Sequence, residues 1–196
     1  MFVQTVIFSC LLFSISLADP LPCKSPQQWK GSLSEYDHGD GQHNYYNVTY
    51  DAIKHRRRTV EEVRADRPGR TYYEWLFLYD ENVFYELNLA TRVCRKISSP
   101  GSWRSYEIPP NATFEHDLVL GVGPTALKVE EWSDRMVAPS LPETWSGTFT
   151  VDGCVPVTEV VIVREISKSF STVFYNIDTS PLGPDDFTPP KECKSA

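Results

Sequence analysis

The sequence predicts an all-β protein, either a two-sheet sandwich or an open barrel. Turn residues separate ten or so apolar or alternating segments at intervals of roughly 8–14 residues, as in such folds. No segment repeats its apolar residues with the 3.6-residue period of a helix. Aromatic residues make up 13% of the chain and only two methionines occur, which favours a β-rich core of tyrosine, phenylalanine and valine.

The first third of the mature chain contains three predicted strands. Residues 19–31 form a proline-rich extended segment, and residues 32–37 are predicted as the first strand. Residues 45–50 alternate in the manner of a half-buried strand. Residues 54–63 are strongly charged, and we expect a strand with one solvated face.

The most apolar stretch, residues 72–97, is predicted to contain a hairpin with its turn at residues 80–82. Its first strand places Trp75, Phe77 and Tyr79 on one face and leucines on the other. A strand that is apolar on both faces needs cover on both faces. The sequence leaves open whether that cover is more core or a ligand.

The second half of the chain continues the strand pattern. Residues 157–163 are almost entirely β-branched, a strong strand signal. The strands predicted here are residues 114–122, 127–132, 144–151, 155–166 and 170–177. Residues 138–142 are predicted as a loop, and residues 187–193 as a tail held by a disulfide bond.

Residues 1–18 are predicted to be a signal peptide that is cleaved after Ala18. They contain a short apolar run without charge, and small residues precede the cleavage position. An uncleaved anchor is the less favoured alternative, because the run is short and lacks basic flanks. No other apolar run approaches twenty residues, so the mature chain is not expected to cross a membrane. Nothing in it resembles a linker or an internal repeat, which predicts one domain over residues 19–196.

Four cysteines remain after Cys10 leaves with the signal peptide: Cys23, Cys94, Cys154 and Cys193. In an exported chain they predict two disulfide bonds, and the sequence alone leaves three pairings open. Asn47 and Asn111 each begin a glycosylation sequon and are expected to carry glycans. The formal net charge of −7 argues against nucleic acid as a partner.

Catalytic motifs are absent from the sequence, which predicts that the protein is not an enzyme. It contains no nucleophile elbow, no zinc-protease motif and no phosphate-binding glycine loop. A solvated glycine-rich turn explains the first of four charged clusters as well as a cation site does, and ordinary acidic turns are favoured over calcium sites for the next two. The fourth is favoured as a strand segment whose alternate residues point outward, over a proprotein-cleavage site or an anionic-glycan patch. These clusters are Asp37, His38, Asp40 and His43; Asp80 and Glu81; Asp185 and Asp186; and residues 55–58.

Several motifs resemble the ependymin family, more closely its ependymin-related branch, and they follow the family's order along the mature chain. The first is Pro22-Cys23 with Pro26, Trp29 and Gly31, followed by Tyr36-Asp37-His38. The others are Tyr50-Asp51, Leu76-Phe77-Leu78-Tyr79, Tyr85-Glu86-Leu87-Asn88 ahead of Cys94, Ile108-Pro109-Pro110, Trp145 with Gly147-Thr148-Phe149, Gly153-Cys154 with Pro156-Val157, and Phe187-Thr188-Pro189-Pro190 before Cys193.

The resemblance implies a fold of two stacked, curved antiparallel sheets around a hydrophobic pocket, similar to bacterial lipoprotein carriers. It implies a secreted glycoprotein that binds a lipid or fatty-acid-like ligand, forms homodimers, responds to calcium and in some members reaches lysosomes. It also implies disulfide bonds between Cys23 and Cys154 and between Cys94 and Cys193. Mammalian-type members have a third bridge whose cysteines this chain lacks, so residues 51–71 are expected to be tethered less firmly.

The expected function is therefore binding of an apolar ligand, with calcium as a candidate cofactor. The alternative is a calcium-responsive adhesion or matrix glycoprotein that binds collagen through its surface. The pocket lining is predicted to be drawn from apolar side chains of the central strands, about half of them pure core. These are Trp75, Phe77, Tyr79, Val83, Tyr85, Val119, Trp132, Trp145, Phe149, Val160, Ile162 and Phe174.

Overall fold

A computed structural model of the chain describes residues 20–63, 65, 69, 71–98, 101–134, 143–164 and 167–195. Its regular structure is almost entirely β. The strands are β1 (Gln28–Asp37), β2 (Gln42–Asp51), β3 (Arg56–Val63), β4 (Thr71–Leu78), β5 (Val83–Asn88), β6 (Cys94–Ser98), β7 (Thr113–Leu120), β8 (Leu127–Ser133), β9 (Glu143–Thr150), β10 (Pro156–Val163) and β11 (Lys168–Asp178). Short 3-10 helices occupy Gly123–Thr125 and Lys191–Ser195.

All eleven strands belong to one antiparallel sheet, in the order β6-β5-β4-β3-β2-β1-β11-β10-β9-β8-β7. Most neighbours are consecutive hairpin partners, whereas β1 and β11 come from opposite ends of the domain. Leu33 of β1 lies opposite Tyr46 of β2 on one side and Phe174 of β11 on the other. The sheet is open, with β6 and β7 as its edges.

The predicted all-β antiparallel class is confirmed. The β1–β11 pairing joins the two halves of the chain into one continuous sheet, where the family resemblance implied two stacked ones. Strand β1 begins at Gln28 rather than at residue 32, because its pairing with β2 starts there and buries Trp29. The hairpin β4–β5 lies toward one edge of the sheet, not at its centre.

The two faces of the sheet differ in chemistry. We call one the aromatic face, because alternation along the strands places Trp29, Trp75, Phe77, Trp132 and Trp145 on it. The other, called the opposite face, carries Leu76, Leu78 and many polar side chains. The buried core is divided into separate clusters over these two faces.

A connection between β6 and β7, residues 101–112, covers the aromatic face, and we call it the covering segment. Trp103 and Tyr106 pack against the core around Trp29 and Tyr50. Ile108 is 6% exposed and packs in the core that contains Trp132, Trp145 and Phe149. The covering segment therefore joins the cores of the two halves of the sheet.

The chain's C-terminal segment, residues 179–195, covers part of the opposite face. Phe187 packs against Leu76, Leu78 and Val83, and Leu182 packs against the same cluster. The hairpin β4–β5 is thus covered by chain on both faces, as its apolar pattern required. The cover on the opposite face is core, not ligand.

Both predicted disulfide pairings are confirmed. Cys23 is bonded to Cys154, and Cys94 to Cys193. The first bond anchors the N-terminal segment to the turn between β9 and β10. The second anchors the C-terminal segment at the edge strand β6.

Strand β3 is held without a third bridge, because it pairs with β2 on one side and with β4 along its whole length on the other. The predicted signal peptide, residues 1–18, and the predicted loop, residues 138–142, lie outside the described residues. Within the described part of the chain, no helix is both long and apolar enough to cross a membrane.

Candidate ligand-binding site

A cavity of about 200 Å³ lies between the aromatic face and the covering segment. Strands β1 to β4 supply its floor, because alternate residues of four neighbouring strands point toward it. Tyr106 of the covering segment supplies its roof. The cavity is lined by Leu33, Glu35, Tyr46, Arg57, Thr59, Trp75, Phe77 and Tyr106.

The apolar wall of this cavity is built mainly by β1 and β4. Leu33 is 3% exposed and Phe77 is 7% exposed. Trp75 meets Phe77 edge to face with their ring centroids 5.8 Å apart. These rings supply the large apolar contact area that a ligand chain requires.

Aromatic contacts hold the covering segment over the sheet. Trp103 stacks on Tyr50 with ring centroids 5.4 Å apart, and its ring meets the edge of Tyr79 at 5.2 Å. Tyr106 lies 5.2 Å from the Phe174 ring, and its backbone N–H donates to the Tyr50 hydroxyl at 3.2 Å. The roof of the cavity is therefore attached by stacking and by one hydrogen bond to Tyr50.

Arg57 brings a positive charge into the cavity wall. Its Nη1 donates to the Tyr106 hydroxyl at 2.9 Å, and its guanidinium carbon lies 4.9 Å from the Phe77 ring centroid. Its Nε is shielded from solvent and has no hydrogen-bond partner among the described residues. The same holds for Thr59 Oγ1 and Trp75 Nε1. The cavity thus contains unused hydrogen-bonding groups.

One half-buried and one buried carboxyl group lie beside these donors. Glu35 accepts a hydrogen bond of 2.8 Å from the Tyr46 hydroxyl, and burial raises its pKa. Glu61 is 3% exposed, and burial together with the nearby Glu35 raises its pKa to about 7. Neither group forms an ion pair with Arg57 among the described residues.

The predicted lining residues are distributed over several environments. Trp75 and Phe77 line the cavity, and Tyr79 packs against Trp103 beside it. The other predicted residues on the aromatic face are core residues with low exposure: Trp132, Trp145, Phe149 and Phe174.

The remaining predicted residues lie away from the cavity. Val83 and Tyr85 pack around Phe187 on the opposite face, and Val119 is 60% exposed on the edge strand β7. Val160 and Ile162 line a separate open groove of about 670 Å³ on the opposite face. This groove also contains charged side chains, among them Glu131 and Arg164.

Arg57 and Thr59 lie within residues 54–63, for which the sequence predicted a strand with one solvated face but no pocket-lining side chain. The available signal was alternation. In strand β3, Arg57 and Thr59 lie on the aromatic face, whereas Arg56 and Arg58 lie on the opposite face.

Within the described residues, no three histidine, cysteine, aspartate or glutamate side chains lie close enough to hold a metal ion. The acidic cluster near residue 38 is used in other contacts. Asp37 and Asp40 both accept hydrogen bonds from Lys168 Nζ, at 3.0 and 2.7 Å. The His38 and His43 rings contact Ser171 and Ser34. Asp80 pairs with His55, and Asp186 with Lys30.

Comparisons of this chain with known proteins point to one family. The Ependymin family model matches residues 67–193. Mammalian ependymin-related protein 1 from Mus musculus is 38% identical over 181 residues, covering 92% of this chain and 80% of its own. Ependymin from Notemigonus crysoleucas is 27% identical over 96% of this chain and 87% of its own.

Among solved structures, an uncharacterized conserved protein from Thermus thermophilus is similar with a TM-score of 0.52. The match covers 85% of this chain and 87% of that chain at 11% sequence identity. At this identity the similarity concerns the fold alone.

Proposed function

The chain belongs to the ependymin family, and on that basis we propose that it is a secreted glycoprotein that binds an apolar or amphipathic small molecule. The binding site is the cavity between the aromatic face and the covering segment. The protein acts by binding and not as an enzyme. The apolar run of residues 1–18 supports secretion.

The observation that carries this proposal is the cavity itself, in which an apolar and aromatic wall lies beside several polar side chains. Small-molecule sites are concave, mainly apolar and equipped with a few polar groups that orient the ligand. Leu33, Trp75 and Phe77 supply the apolar part. Arg57, Thr59 and Trp75 supply polar atoms that no described residue binds.

The cavity volume limits what fits without movement. An engineered apolar cavity of roughly 150 Å³ binds benzene, and drug-sized ligands occupy roughly 300–1,000 Å³. The cavity of about 200 Å³ therefore accommodates a short amphiphile or one end of a long one. A longer chain requires the covering segment to move at Trp103 and Tyr106.

Binding of 1-octanol and of the neutral dye Nile red to purified, delipidated protein tests the proposal, with Trp75 fluorescence and calorimetry as readouts. Leu33→Phe partly fills the cavity and should weaken both ligands several-fold. Val60→Phe adds the same ring on the opposite face, where Val60 is 37% exposed, and should leave binding unchanged. If the unmodified protein binds neither of the two ligands, the proposal is refuted.

Asn47 and Asn111 are both exposed and accessible to glycosylation. We propose that both carry glycans when the chain is secreted from a eukaryotic host. N-glycosidase treatment should then lower the mass of the secreted protein by two glycans. Asn47→Gln and Asn111→Gln should each remove one, and secretion without any mass change on treatment would contradict this part of the proposal.

A second candidate function acts through the opposite face, as an adhesion or matrix contact. The observation that favours it is a row of partly exposed apolar side chains across neighbouring strands: Tyr36, Tyr45, Tyr72, Val160, Ile162 and Tyr175. Sedimentation and collagen binding, each measured with calcium and with a chelator, test it. A monomer that does not bind collagen under either condition would refute it.

A further inference from the structure

Three hydrogen-bond donors without protein partners line the same cavity. Arg57 Nε, Thr59 Oγ1 and Trp75 Nε1 are shielded from solvent, and no described residue accepts from them. Folded proteins leave few buried polar atoms unpaired, because losing hydration without a replacement partner is costly. The fourth such atom among the described residues, Glu61 Oε2, lies two residues beyond Thr59 on β3 but is not part of the cavity lining. Three donors around one cavity therefore indicate an absent acceptor.

The strand register explains why these donors are grouped. Thr59 of β3 lies directly opposite Trp75 of β4. Arg57 lies two residues from Thr59 on the same strand and therefore on the same face. The three side chains form one continuous polar patch in the cavity wall, beside the apolar surface of Leu33 and Phe77.

The side chains of this patch favour a ligand group that accepts hydrogen bonds. An arginine guanidinium and a tryptophan indole N–H donate hydrogen bonds and accept none, and a threonine hydroxyl can donate. Arg57 is also a half-buried cation without a carboxylate partner within ion-pair distance among the described residues. A planar carboxylate can accept from several donors at once and also neutralise the guanidinium.

The neighbouring acidic groups are compatible with an anionic ligand. Glu35 Oε1 accepts from the Tyr46 hydroxyl at 2.8 Å, and among the described residues it accepts from none of the three donors. Burial raises the pKa of Glu35 and raises that of Glu61 to about 7. Both shifts favour the neutral forms of these two carboxyls, and a neutral carboxyl does not repel an anionic ligand. The other titratable groups that interact with Arg57 are Glu159 and the hydroxyls of Tyr50, Tyr79 and Tyr106.

We propose that Arg57, Thr59 and Trp75 form a polar subsite that binds the carboxylate of an amphiphilic acid. The apolar chain of this acid lies against Leu33, Trp75 and Phe77. This inference rests on the proposed binding function and adds the side chains that hold the polar end of the ligand and the ligand's orientation. The competing occupant is water, which would also accept from the donors but would give no preference for a carboxylate.

Octanoate and 1-octanol form a matched pair of probes, because they share chain length and differ at the polar end. At pH 7 octanoate should bind at least roughly tenfold more tightly than 1-octanol, the usual gain from hydrogen bonds to a charged group. Arg57→Gln should abolish this preference. Thr59→Val removes one donor and keeps the shape of the side chain, and Trp75→Phe removes one donor and keeps an aromatic ring in a smaller side chain. Each should reduce the preference several-fold.

Arg95→Gln provides the control, since Arg95 is an exposed arginine of β6 that pairs with Glu86. It should retain the full preference. Equal binding of octanoate and 1-octanol, or a preference that Arg57→Gln and Thr59→Val leave intact, would overturn the polar subsite. In that case 1-octanol binding would still support the proposed function, whereas loss of both ligands would remove the proposed function itself.

Discussion

At the scale of single residues, three consecutive arginines show how strand alternation assigns different roles to one side-chain type. Arg56 contacts the fully buried Asp51 and lies 4.1 Å from the Phe187 ring centroid. Arg58 pairs with Glu74 and donates to the carbonyl of Asp186 at 3.0 Å. Arg57 points the other way, into the cavity. Neighbouring arginines of one strand therefore have different roles: Arg56 and Arg58 stabilise the fold, and Arg57 lines the cavity.

Arg56→Met should strongly destabilise the protein. Asp51 is 0% exposed, and although burial opposes its ionisation, hydrogen bonds from Arg56 and other donors lower its pKa. Removing the cation leaves a buried carboxylate without its counterion, at a cost of about 3–5 kcal/mol in the free energy of unfolding. Urea unfolding measures this loss.

Arg95→Met is the matched control for Arg56→Met. The Arg95 side chain is 66% exposed where it pairs with Glu86, so its loss should cost less than about 1 kcal/mol. If Arg56→Met and Arg95→Met lowered the free energy of unfolding by similar amounts, the buried Arg56–Asp51 pair would not be the larger contributor.

Glu61 should make stability depend on pH between 5 and 8. Burial raises its pKa from 4.5 to about 7, so the folded protein binds this proton more tightly than the unfolded chain does. Lowering the pH through 7 should therefore increase the free energy of unfolding, by an amount on the order of 3 kcal/mol by pH 4.5. Denaturant unfolding across this range measures the slope.

Glu61→Gln should flatten that pH dependence, because the amide does not titrate. A residual slope of the same sign is expected from Glu35 and Glu159, whose pKa values burial also raises. Asp51 and Asp186 have lowered pKa values, so their contribution is lost only at more acidic pH. An unchanged slope in Glu61→Gln would show that Glu61 titrates normally.

At the scale of elements, the C-terminal segment acts as a cover for the hairpin β4–β5. Phe187 fills the hydrophobic cluster of Leu76, Leu78 and Val83. Lys30 Nζ donates to Asp186 at 2.8 Å, and Cys193 ties the segment to β6. The segment has almost no regular structure of its own, so these side-chain contacts position it.

Replacing both Cys94 and Cys193 by serine should lower the free energy of unfolding by up to about 4–5 kcal/mol. The bridge spans a sequence separation of 99 residues, and closing a loop of that length restricts the unfolded chain by that amount. Residues 179–195 should also become more sensitive to limited proteolysis. Urea unfolding and protease digestion measure the two effects.

Lys194→Ser serves as the control for that double variant, because Lys194 is an exposed neighbour of Cys193. It should keep the bridge, the stability and the protease resistance. Unchanged protease sensitivity in the double variant would show that Phe187 alone holds the segment.

At the scale of the whole molecule, an open sheet has two edges that could pair with other strands. The edge strand β6 is protected by the C-terminal 3-10 helix and by the Cys94–Cys193 bond. The other edge strand, β7, carries Glu115, His116 and Asp117 and has an irregular register between Phe114 and His116. Charges and bulges on edge strands oppose pairing with a further strand. The two edges are therefore protected differently, β6 by covering chain and β7 by its charges and its irregular register.

Much of the fold was predictable from local patterns. The alternation of Trp75, Phe77 and Tyr79, and the β-branched run at residues 157–163, indicated strands that the structure contains. The order of the strands was not predictable from such patterns, because the pairing of Leu33 with Phe174 joins residues far apart in sequence. The continuous sheet depends on this long-range pair.

The candidate site was predictable only in part. Trp75 and Phe77 were expected in a pocket and line the cavity. Val160 and Ile162 have the same apolar character, yet they lie on the other face of the sheet, because apolar alternation does not reveal which face is covered. Arg57 was hidden within a charged run whose average character is that of a solvated surface.

The sequence by itself determined the β class, the strand positions, the family and, through that family, the pairing of the four cysteines. These properties follow from local alternation and from motifs that are read along the chain. Only the tertiary structure decided which face of each strand is enclosed, where the cavity lies and which donors remain unpaired within it. Those features depend on the covering segment and on the β1–β11 pairing, which bring Arg57 and Tyr106 together across distant parts of the chain.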